Sequence, residues 1–95
     1  MKAYVVVHER IDDEKTFESY RKQVLSTIAA HGGRFIVRGG ARSILEGEVP
    51  FPRLVILEFP SRAAAESWYQ SPEYRPLIAL RQSASEDVLI AVEGS

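Results

Sequence analysis

Moving protons without a cofactor needs imidazoles, carboxyls, phenols and guanidiniums held away from bulk water, and this chain of 95 residues offers a short set of them. His8 lies in the run AYVVVHE, and alternation along a strand puts it on one face with Tyr4 and Val6. It reads either as a hydrogen-bonded histidine at a strand end or as a general base in a pocket lined by Tyr4. Glu58 is the one charge inside the apolar run LVILEF. A carboxyl there is either salt-bridged or raised in pKa by desolvation, and the second state is what an acid-base catalyst needs. In RFIVR, alternation sends Arg34, Ile36 and Arg38 to one face and Phe35 and Val37 to the other. Arg34 opens the strand and is expected to be solvated. Arg38, if buried, requires a carboxylate, for which Glu46 or Glu58 are available, so it is either half of an ion pair or a clamp for a carboxylate or enolate oxygen. Trp68, Tyr69 and Tyr74, with Arg81 beyond them, bring aromatic bulk with polar tips that serves either a core or a ligand platform.

Other chemistries lack their residues. His8 and His31 fall on separate elements, there is no cysteine and no His-x-x-x-His spacing, so neither a metal nor another cofactor is expected. The glycine pairs of GGRFIVRGGA do not make a phosphate loop: the spacing is not G-x-G-x-x-G, no Lys-Ser/Thr follows, and ARSILEG is not helical in character. No Ser-His-Asp order or nucleophile elbow supports covalent hydrolysis. A net charge of −1, from 12 basic and 13 acidic residues, gives no electrostatic reason for nucleic acid or an anionic membrane as partner. The apolar run ahead of His8 is too short for a signal peptide core or a spanning helix. With no thiols to protect, a reducing cytoplasm is the expected location.

Positioning these groups falls to six expected elements. Residues 3 to 9 are β-branched and aromatic and read as a strand. From Asp12 or Asp13 as N-cap, Phe17, Tyr20, Val24 and Ile28 recur at helical spacing, Leu25 widens the stripe, and Gly32 stops the helix. A second strand spans 34 to 38, with ARSILEG as its continuation past a bend at Gly39 and Gly40, and EVPFP as a hairpin connection. Residues 53 to 59 form the clearest strand; Pro60 ends it, Ser61 caps RAAAESWYQ, and Ser71-Pro72 restarts the chain as PEYRPLIALRQ. Residues 87 to 92 close the set as a fourth strand. The order is β-α-β-β-α-β, so residues 1–95 form one α+β domain, a ferredoxin-like sandwich with a four-stranded antiparallel sheet. VVV, LVIL and VLIAV are apolar on both faces, whereas the helices can cover only one. The uncovered face predicts a homodimer through the sheet.

Three stretches carry a family resemblance: AYVVVHERIDD, GGRFIVRGG, and PRLVILEFPSRAAAESWYQSPEYRPLIALR. Together they resemble the DUF1330 family of the dimeric α+β barrel superfamily, with RGG at 38 to 40, EFPS at 58 to 61 and the Trp68-to-Tyr74 run as the most specific parts. The resemblance implies a protomer that pairs through its sheet as a dimeric α+β barrel, with no established activity. Superfamily relatives include cofactor-free monooxygenases acting on aromatic polyketides, muconolactone isomerases, heme-handling members and proteins without known chemistry. In such relatives the cleft between helices and sheet holds the substrate, which makes Trp68, Tyr69, Tyr74 and Arg81 candidates for its lining. Two readings follow: a small-molecule pocket with cofactor-independent proton-transfer or oxygenase chemistry, in which Arg38 steadies an anion and His8 or Glu58 moves the proton, or a non-enzymatic dimeric binding or structural module.

Overall fold

The computed structural model describes residues 1–95. Strand β1 (Ala3–Ile11) leads into helix α1 (Glu14–Ala29), followed by β2 (Arg34–Arg38), β3 (Arg53–Phe59), α2 (Arg62–Gln70), α3 (Arg75–Ala84) and β4 (Ser85–Glu93). The strands form one antiparallel sheet in the order β2-β3-β1-β4. This is the ferredoxin-like split βαβ arrangement, with the second helical segment divided in two.

Local chemistry sets the boundaries. The Asp13 carboxylate accepts from the Thr16 backbone N–H and caps α1, and Gly32 takes the left-handed φ of 76° that turns the chain out of the helix. Ser61 caps α2 by accepting from the Ala64 N–H. Ser71 ends α2 in extended conformation, and its hydroxyl accepts from the Tyr74 N–H, starting the turn that leads into α3. Pro76 then sits in the first turn of α3, where its missing N–H is unneeded.

The core lies between the helices and one face of the sheet. Val5 and Val7 of β1 and Val55, Leu57 and Phe59 of β3 meet Phe17, Tyr20, Val24 and Ile28 of α1 and Trp68 of α2 there. The predicted stripe of α1 is thus the buried one, although Leu25 at its margin stays half exposed. The overall extents, 35 × 32 × 17 Å, leave room across the short axis for one sheet and one helical layer. Consequently the opposite sheet face has no cover within the chain: Val88, Ile90 and Val92 are each about half exposed, and Tyr4, Val6, His8 and Ile56 lie on that same side.

Two expectations fail locally. ARSILEG does not extend β2; residues 39 to 52 form an open connection in which Leu45 is 92% exposed. Nor does strict alternation hold along β2. Phe35 pairs with Leu57 but Val37 pairs with Ile56, so a β-bulge at Ile36 reverses the facing of everything after it. Arg34 therefore faces outward with Glu58, whereas Arg38, opposite Val55, faces the helices.

Candidate functional site

A row of charged residues crosses the helix-facing side of the sheet at the end of the core. In β1, Ala3, Val5 and Val7 point inward, so the next inward position is Glu9, opposite Arg53 of β3 and Asp87 of β4. Glu9 is 3% exposed, and its Oε1 accepts from Arg53 Nε at 2.9 Å. Asp87 Oδ2 accepts from Arg81 Nη1 at 2.9 Å and from Ser85 Oγ at 2.7 Å. Arg81 descends from α3, and both it and Asp87 are almost wholly buried. Two carboxyls are thereby set side by side between two guanidiniums.

Burial pushes the Glu9 carboxyl up to about 7, helped by the hydrogen bond and the charge of Asp87, and these outweigh the opposing pull of Arg53. Asp87 Oδ1 has no other donor, which is the environment a protonated Glu9 satisfies. Above the row, Tyr20 of α1 and Tyr74 share a hydrogen bond of 2.9 Å between their hydroxyls. Burial raises both phenols, Tyr20 the more strongly, so they remain neutral. For Arg81, burial opposes the charge, but the phenol oxygens of Tyr74 and Tyr20 and the carboxylate of Asp87 prevail and the guanidinium stays protonated.

This polar row borders an apolar cavity of about 140 Å³ between α1, the aromatic core and the sheet. Val24 and Ile28 of α1, Phe35 of β2, and Val55 and Leu57 of β3 supply much of its wall. Its only charged lining groups are Glu9, Arg21, Arg38, Arg53 and Arg81. Arg38 lies with its guanidinium 4.0 Å above the Phe35 ring, and no carboxylate is bound to it. Gly39 adopts a φ of 65°, and a Cβ there would overlap the Arg53 guanidinium; the glycine leaves the space through which Arg53 reaches Glu9.

Of the residues singled out from sequence, Arg38, Trp68 and Arg81 line the cavity. Tyr74 stands one step behind, bonded to Tyr20 and stacked 4.1 Å from Trp68. Trp68 is anchored by donating Nε1–H to Thr27 Oγ1 at 3.0 Å. Tyr69 is 38% exposed and borders a separate groove between α2 and β4. His8, Glu58 and Tyr4 lie on the uncovered sheet face, so the expected meeting of Arg38 with His8 or Glu58 in one cleft does not form; the bulge turns Arg38 to the opposite side. Glu58 is bound by Arg34 at 3.0 Å and Lys2 at 3.6 Å, and chiefly the Arg34 hydrogen bond holds its carboxyl below the ordinary range. Of the two states open to Glu58, the salt-bridged one is found, with Arg34 rather than Arg38 as partner.

Glu9, Arg53, Asp87 and Tyr20 are the site groups that the sequence reading passed over. Alternation carried the signal, because Glu9 continues Ala3, Val5 and Val7, and Asp87 stands two residues before Leu89 of the cavity wall. Both sit at strand ends, where charges read as boundaries. No cluster of three or more His, Cys, Asp or Glu side chains is arranged to hold a metal ion. No helix is long and apolar enough to cross a membrane.

An antiparallel four-stranded sheet under three helices, with a polar row buried between them, defines an α+β ferredoxin-like protein. Solved structures share that fold. A protein of unknown function from Rhodopseudomonas palustris superposes with a TM-score of 0.80 at 20% identity, covering 99% of this chain and 82% of its own. SnoaB, a cofactor-independent oxygenase from Streptomyces nogalater, gives 0.66 at 13% identity over 99% and 93%. A dimeric ferredoxin-like protein of unknown function from Jannaschia sp. CCS1 gives 0.65 at 11% identity over 99% and 100%. No curated protein matches the chain. The family is direct: residues 2–95 match the model of DUF1330, a domain of unknown function, and the chain belongs to that family.

Proposed function

We propose that this protein is a cytosolic homodimer, paired through its uncovered sheet face, that performs cofactor-independent proton transfer on a small organic molecule held between sheet and helices. One observation carries the chemistry: a carboxyl buried to 3% exposure on the border of an apolar cavity, beside a second carboxyl and bracketed by guanidiniums. A carboxyl poised near neutral pH can both take and return a proton. Glu9 as the carboxylate takes a proton from a carbon next to a carbonyl, the C–H electron pair forms a C=C bond as the C=O π pair moves onto oxygen, and the enolate oxygen formed there is steadied by a cavity guanidinium. Glu9 then returns the proton at the same or a neighbouring atom, which completes an exchange or isomerisation without a cofactor. The likeness to SnoaB adds a second outcome for the same carbanion: dioxygen as co-substrate and oxidant accepts its electrons to form a C–O–O peroxide, which takes back the proton removed by Glu9 and breaks its O–O bond by losing water, leaving a new carbonyl.

The dimer is supported by the half-exposed Val88, Ile90 and Val92 and by the dimeric description of the Jannaschia structure. In that arrangement His8, Tyr4 and the Glu58–Arg34 pair become interface groups instead of pocket groups. The cysteine-free composition suits the reducing cytosol.

A non-catalytic module is the rival reading, favoured by the two ion pairs, Arg53 with Glu9 and Arg81 with Asp87, that fix the end of the sheet. Deuterium incorporation separates the two. Enolisable single-ring ketones and keto acids are incubated in D₂O with the protein and followed by proton NMR. The wild type is expected to exchange at least one of them about 100-fold faster than Glu9→Gln, the scale of general base catalysis. Equal rates for both proteins across the panel assign the buried carboxyls to structure alone.

A further inference from the structure

We infer that the cavity takes a small organic anion, a single carboxylate on an apolar body no larger than one six-membered ring, with Arg38 as its anchor. This deepens the pocket reading above and rests on it. The charge argument comes from the lining, where four guanidiniums face one carboxyl. Three of the four are already answered: Arg21 by Glu14 and Glu18, Arg53 by Glu9, and Arg81 by Asp87. Arg38 has only the Phe35 ring beneath it, at 4.0 Å. Arg38 is an exposed residue at the cavity rim with no carboxylate partner, so its N–H groups are free to meet two carboxylate oxygens.

Arg81 reinforces the positive charge without offering a free donor. Arg81, 4% exposed and part of the same lining, keeps its Nε–H without an acceptor. That nitrogen has no surface open to the cavity, being enclosed beside Asp87 and the Tyr74 hydroxyl, so Arg81 adds positive charge to the wall and leaves the hydrogen bonding to Arg38.

Size sets the other limit. A volume of about 140 Å³ is close to the roughly 150 Å³ of a cavity that accepts benzene. One ring or a branched chain of similar bulk fits, and a fused polycyclic body does not. Val55, Leu57, Ile28 and Phe35 leave no polar partner for hydroxyls along that body.

Calorimetric titration of the full chain near neutral pH with benzoate, benzamide and naphthoate tests both limits. Benzoate is expected to bind about tenfold or more tightly than its neutral isostere benzamide, and naphthoate about tenfold or more weakly than benzoate. Arg38→Gln should lose about tenfold for benzoate, whereas Arg62→Gln, a surface arginine paired with Glu66, should lose nothing. Benzamide binding as well as benzoate, or benzoate indifferent to Arg38→Gln, overturns the anion assignment. Naphthoate binding as tightly as benzoate overturns the size limit. If none of the probes binds, this inference falls, while the deuterium exchange assay separately decides whether Glu9 acts on any substrate.

Discussion

Burial of Glu9 against Asp87 ties its proton to folding. Its carboxyl stands at about 7 in the folded chain against an ordinary 4.5, so the folded state binds a proton that the unfolded state releases across that window. The stabilisation is fully present below about 4.5 and is lost as pH rises through about 7, at up to roughly 1.4 kcal/mol per pH unit. The charged groups that set this balance are Asp87 on β4, which raises it, and Arg53 on β3, which lowers it. Glutamine at position 9 imitates the protonated acid, since its amide can donate to Asp87 and accept from Arg53. Urea unfolding of Glu9→Gln at pH values near 5, 6.5 and 8 should therefore show a flatter decline than the wild type; parallel profiles would mean that Glu9 is not the titrating group. Period-two alternation alone makes this residue legible in the sequence, because it puts Glu9 on the face of Val5 and Val7. What alternation does not reveal is its neighbour, since Asp87 is distant in the chain and joins it only through strand pairing.

Elements were the most readable level. Strands 34–38 and 53–59 and helix 62–70 follow directly from β-branched runs, a proline stop and a serine cap, all of which act within a few residues. β2 is where local reading breaks down. One bulge at Ile36, fixed by pairing with β3, turns Arg38 toward the cavity and leaves Arg34 with Glu58. The glycines after it also have unequal work: Gly39 holds a φ of 65° under the Arg53 guanidinium, whereas a Cβ on Gly40 would meet open space. Gly39→Ala is expected to destabilise the protein by about 1–2 kcal/mol or more through the left-handed backbone, with further loss from displacing Arg53. Gly40→Ala should stay within about 0.5 kcal/mol of wild type. Equal midpoints for the two variants in urea unfolding would show that the Gly39 geometry carries no special constraint.

On the scale of the whole molecule, a slab 17 Å thick must leave one sheet face to a partner or to water. Val88, Ile90 and Val92 are 46%, 53% and 46% exposed in the single chain, and pairing that face would gain about 25 cal/mol for each Å² of apolar surface removed from water. Sedimentation at micromolar concentration is expected to give a species of twice the 10.7 kDa chain mass, reduced to monomer by Ile90→Lys. Leu45→Lys, a charge on an equally apolar but loop-borne residue, should leave the dimer intact; if both lysines dissociate it, or neither does, the sheet face is not the contact. The chain by itself determined the order of elements, the buried stripe of α1, the two-faced apolar strands and the family. These depend on residue type and short-range spacing, which a sequence states outright. Only the tertiary structure decided which arginine faces the cavity and which carboxyls meet there. Those outcomes depend on a one-residue slip in pairing and on long-range register, where a small local change reverses the direction of every side chain beyond it.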